Sequence, residues 1–87
     1  MEKLFNTELF GTFEYDSIIL SIYSNNYNFY IKNKSLFVSL GSYNSILYSI
    51  EKGIEHTTNN DVKELLTKEK IDIINNMLKI LEEIKGN

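Results

Sequence analysis

Residues 8 to 40 read ELFGTFEYDSIILSIYSNNYNFYIKNKSLFVSL, and the fold turns on how this stretch is divided. Short runs rich in Ile, Tyr, Phe and Val, separated by Asp16-Ser17, Asn25-Asn26 and Asn33-Lys34, predict four strands joined by two-residue hairpin loops. Asn accepts positive φ more readily than other residues with a Cβ, which suits tight turns. Pairing outward from each turn sets Tyr15 opposite Ile18, Phe13 opposite Leu20, Ile22 opposite Phe29, Leu20 opposite Ile31, Phe29 opposite Val38 and Tyr27 opposite Leu40. Every pair is apolar or aromatic, and a slip of one residue would send a whole row to the other face. The expected fold is therefore α+β, a four-stranded antiparallel β-meander followed by two or three α-helices packed on one face of the sheet.

Beyond residue 40 the period changes from two to between three and four. Tyr43, Ile46, Leu47, Ile50 and Ile54 predict a helix over about 43–55, with Ser42 as its cap and Gly53 near its end. Asp61 and Glu64 form an Asp-x-x-Glu start for a second helix over about 61–85, either continuous or broken before Thr67, with Gly86 as its stop. The last helix carries a wide apolar stripe: Val62, Leu66, Ile73, Met77, Ile80 and Ile84, broadened by Leu65, Ile74, Leu78 and Leu81. Packing on a sheet needs less width than this, so Ile73, Met77, Ile80 and Ile84 are also candidates for a homodimer or partner helix face.

A chain of 87 residues is read as one domain, 1–87, with a small core. Ile (twelve) and Asn (eleven) are abundant, while Ala, Arg, Pro, Trp, Cys and Gln are missing, a coding bias that points to an AT-rich genome such as that of a phage or mobile element. The absence of Cys removes disulfide and thiolate chemistry. Without a signal-peptide pattern near Met1 or any apolar run of membrane-spanning length, the expected location is the cytoplasm, and no membrane partner is expected.

The same strand parity leaves Phe10, Tyr23, Tyr30 and Phe37 on the far side of the sheet, a side that antiparallel sheets ordinarily leave polar. Aromatic pairs there stabilise a small sheet, and they also have the chemistry of interface anchors. Stacking of nucleobases on such a platform draws on clustered basic residues; this chain has no Arg and a formal charge of −3, so nucleic acid, in particular single strands, ranks third among the partners. Catalysis is not expected. His56 is the only histidine, its neighbours Glu55 and Asp61 make no specific metal or acid–base set, and Gly11, Gly41, Gly53 and Gly86 are too scattered for a phosphate loop. No metal and no cofactor are expected. The profile is that of a non-enzymatic protein-binding module: a small acidic phage or mobile-element protein that inhibits or modulates a larger host protein, in the manner of anti-CRISPR and other anti-defence inhibitors. The alternative is a homo-oligomeric structural or regulatory subunit associating through residues 61–85.

Overall fold

The structure, a computed structural model, describes residues 2–87 and contains helices without a single strand among them. Two short 3-10 turns, Glu2–Phe5 and Thr7–Leu9, lead into α1 (Phe13–Asn25), α2 (Tyr27–Lys32), α3 (Lys34–His56) and α4 (Asn60–Gly86). The expected β-meander is overturned, and the α+β class with it. Two-residue hairpin loops of the favoured kinds need positive φ, and the one residue with positive φ among those described is Gly11, at 78°. Two of the three expected turns do mark real breaks, of another kind: Asn26 separates α1 from α2 and Asn33 separates α2 from α3, both at negative φ. Asp16-Ser17 lies inside α1, where Asp16 occupies the acid-favouring first turn.

The residues that suggested strands also satisfy a helix. Tyr15, Ile18, Ile19 and Ile22 recur at three and four, as one face of α1 requires, and Tyr15 and Ile19 are buried. Phe37, Leu40, Asn44 and Leu47 do the same along α3. Strand propensity in Ile, Tyr and Phe largely reports packing on a pleated surface, so it gives way when helical contacts bury the same side chains. Thr12 caps α1, its hydroxyl accepting the Tyr15 N–H at 3.2 Å. Gly11 precedes it, and any side chain there would be strained by φ and pressed against Leu47.

α3 and α4 form an antiparallel hairpin, as three contacts along its length demonstrate: Gly53 against Leu66, Glu51 with Lys70 at 3.4 Å, and Asn33 with Asn87 at 2.8 Å. The helix expected over 43–55 lies within α3, which begins nine residues earlier, and Ser42 is interior to it. α4 runs unbroken through Thr67, whose hydroxyl donates to the Lys63 carbonyl at 2.8 Å. Its cap is Asn59, accepting from the N–H groups of Asp61 and Val62.

The N-terminal segment, α1 and α2 cover one end of this hairpin. The core there joins Leu4, Phe10, Tyr15 and Ile19 to Phe37, Leu40 and Leu47 of α3 and to Ile73, Met77, Leu81 and Ile84 of α4. From Tyr48 to Asp72 no side chain is fully buried, because the outer half of the hairpin has no third layer. The molecule is accordingly elongated, 46 × 21 × 19 Å. α3 is the helix that packs along α4, whose Ile73, Met77, Leu81 and Ile84 join the core, while Val62, Leu65 and Leu78 of the stripe stay exposed.

Tyr15 ties the first 3-10 turn to this core, its hydroxyl donating to the Leu4 carbonyl at 2.8 Å from a fully buried position. Burial pushes its phenol above the ordinary value of 10.0. The unfolded chain ionises this phenol near pH 10 and the folded chain resists, so the stability present below pH 10 is lost as the pH climbs above it, by about 1.4 kcal/mol per pH unit. Tyr15→Phe should cost about 1 kcal/mol at pH 7 and lose less than the parent between pH 9 and pH 11 in urea titrations. Parallel losses in the two proteins would show that this phenol is not the source.

Candidate protein-docking surface

α1 runs antiparallel to α3, so that Phe13 rests on Tyr48 with ring centroids 4.7 Å apart, Asp16 meets Asn44, and Tyr23 reaches the aromatic cluster next to Phe37. The buried side of α1 is taken up by Tyr15 and Ile19. Its outer side carries Phe13, Asp16, Leu20 and Tyr23, one residue per turn, and the row continues across Asn26 to Tyr27. Phe13 is 68% and Leu20 65% exposed, a large commitment of apolar area to solvent for so small a domain.

Between this row and α3 lies a shallow groove of about 300 Å3. Ile19, Tyr30 and Phe37 form its floor; Asp16 and Leu20 stand on the α1 side, and Val38, Gly41, Ser42 and Ser45 on the α3 side. Val38 is 52% exposed, and a Cβ on Gly41 would meet nothing within 4 Å, so the α3 wall is low at its centre. At one end Tyr23 stands edge-on to Tyr27 at 5.5 Å and to Tyr30 at 5.0 Å, while Tyr30 stacks on Phe37 at 5.1 Å and 15°. Phe37 is pinned from the other side by Phe29, at 6.0 Å.

Asp16 is the one charged residue lining the groove. Its Oδ1 accepts from Asn44 Nδ2 at 3.0 Å, and the same amide donates to the Thr12 carbonyl at 2.9 Å while its oxygen accepts the Gly11 N–H. A buried amide thus holds the carboxylate in position. The ion pairs among the described residues are Lys52–Glu55 and Lys70–Glu51, and Asp16 belongs to neither.

The sequence-derived anchors divide. Tyr23, Tyr30 and Phe37 do come together, through the packing of α1, α2 and α3 in place of strand pairing, but Phe37 is 1% exposed and serves as the base of the cluster. Phe10 is also buried, edge-on to Tyr15 at 5.1 Å, and leaves the surface altogether. The face of α4 considered for self-association is spent inside the monomer: Ile73, Met77 and Ile84 are buried and Ile80 is half-buried against the same core. Leu20, Val38 and Phe13, which strand parity assigned to the core, are the exposed residues. For Phe13 and Leu20 the signal is their seven-residue separation within α1, with Asp16 between.

His56 is exposed at the end of α3, and no group of three His, Asp or Glu side chains gathers among the described residues. No helix among them is long and apolar enough to cross a membrane. No family model, curated protein or solved structure matches the chain.

Proposed function

We propose that this chain works without catalysis, as a protein-binding module that docks a larger partner on the α1–α3 groove. The observation that carries this reading is the pair of uncovered apolar side chains, Leu20 and Val38, on either side of a floor whose own side chains are locked by packing, with the exposed ring of Tyr23 packed on Tyr30 at one end. Rigid aromatics cost little rotamer entropy when they bind, and aromatic anchors beside a small polar rim are the composition of binding hot spots. The narrower reading, an inhibitor carried by a phage or mobile element and directed at a host protein, is supported by the chain's small size, its charge of −3 and its AT-coded composition.

Leu20→Glu and Val38→Glu test it. Both side chains are more than half exposed, so each change should alter stability by no more than about 0.5 kcal/mol. Each should reduce capture of the partner from lysate of the source cell by tenfold or more, with the parent chain and an α4 surface variant, Glu83→Lys, as references. Undiminished capture by both groove variants would reject the docking site.

A further inference from the structure

We infer that the groove receives an amphipathic α-helix of the partner whose apolar stripe is interrupted by one lysine or arginine placed against Asp16. This rests on the docking reading above and adds the chemistry of what docks.

The occupant is a helix because of what the walls are. Both are helices, with contact residues one turn apart: Asp16 and Leu20 on α1, and Val38, Gly41 or Ser42, and Ser45 on α3. Their backbone groups are engaged within their own helices. An extended segment laid here would bury a row of amides and carbonyls with only scattered side-chain partners, Asp16, Tyr30, Ser42 and Ser45, to meet them, whereas a helix satisfies its backbone internally. Leu20, Val38 and Tyr23 are knobs, and the low ground over Gly41, Ser42 and Ser45 is the hole that admits a third helix at ordinary helix-packing distance. Along α3 the lining runs from Phe37 to Ser45, about 12 Å, the reach of about two turns of such a helix.

The cation is demanded by charge. Covering the groove strips water from Asp16, whose side-chain partner among the described residues is the Asn44 amide, and a carboxylate desolvated without a counter-charge opposes binding. Two copies of this chain paired groove to groove do not supply one. In a two-fold pairing of grooves the facing residues come from the same lining set, and that set contains no Lys. A lysine or arginine on the docking helix meets this need. Because Asn44 already fixes the carboxylate, little ordering is lost when a cation arrives.

The test uses the full chain and synthetic helical peptides of about 21 residues, with leucines in a heptad stripe and either Lys or Glu at its centre. Fluorescence anisotropy gives the affinities, and amide shifts locate the site. The Lys peptide should bind at least tenfold tighter than the Glu peptide and shift Leu20, Gly41 and Ser45. Asp16→Asn, which keeps an acceptor for Asn44, should bring the two peptides within about twofold of each other. Asp16→Lys should reverse their order. Equal binding of both peptides to the parent chain, lost in Leu20→Glu, would overturn the cation while leaving the docking groove intact. Binding that survives Leu20→Glu, or a dimer of the chain that either peptide dissociates, would overturn the proposed occupant and the docking reading together.

Discussion

Phe37→Ala should lower the stability of the fold by about 3 to 5 kcal/mol, the range for deleting a buried ring from a packed core. Phe37 is 1% exposed, stacked on Tyr30 and braced by Phe29, so removing it opens a cavity at the point where α1, α2 and α3 meet. An 87-residue domain has roughly 4 to 13 kcal/mol in total, which makes this a large fraction. Thermal unfolding should shift down by about 4 to 8 °C for each kcal/mol. The two roles considered for this ring separate in the same measurement. An interface anchor loses partner affinity at unchanged stability, whereas a core ring loses stability first. A variant that keeps its melting temperature while failing to bind would return Phe37 to the surface and remove the floor from the groove.

Asn44→Ala should be nearly as damaging, by about 2 to 4 kcal/mol, for a different reason. The amide is buried in α3 and serves three partners in the preceding segment: the Gly11 N–H, the Thr12 carbonyl and the Asp16 carboxylate. Truncation leaves a backbone donor and an acceptor enclosed without partners, and each such group costs about 1 to 3 kcal/mol. The loss should be local in its first effects. Amide exchange should rise through residues 2 to 12, where the two 3-10 turns and the cap of α1 depend on this anchor, before it rises in α4. Asn44→Leu, which refills the volume without the hydrogen bonds, should not recover the loss. Full recovery by Leu would show that packing, and not the amide, joins the N-terminal segment to α3.

How much could be read in advance differs by element. Residues 61 to 85 combine a long apolar period with strong helix formers such as Leu, Glu and Lys, and α4 covers them without a break. Residues 13 to 40 contain the same apolar residues in an order that fits two periods at once. Ile18, Ile19 and Ile22 lie on one helical face, yet Ile18, Leu20 and Ile22 also alternate as a strand does. Asn25-Asn26 and Asn33 made the strand reading coherent because Asn breaks either element. Parity then assigned Leu20 and Val38 to the interior and Phe10 and Phe37 to the exterior, each the reverse of its position in the fold. Tyr23, Tyr30 and Phe37, which strand parity put on one face, also group in the fold, but through the packing of three helices, because Asn26 and Asn33 set the three rings on α1, α2 and α3.

The sequence by itself determined the breaks at Asn26 and Asn33, which segments are apolar enough to be covered, and that disulfide and thiolate chemistry are closed to it, because these follow from residue type and local spacing. Only the tertiary structure decided which face of residues 13 to 40 is covered. That choice belongs to α3 and α4: their long hairpin offers Leu40, Leu47, Met77 and Leu81 as a surface on which Tyr15, Ile19 and Phe37 can be buried together, and helical spacing brings those three to it where strand alternation does not. The groove, with Asp16 held upright at its side by Asn44, is the consequence of that burial.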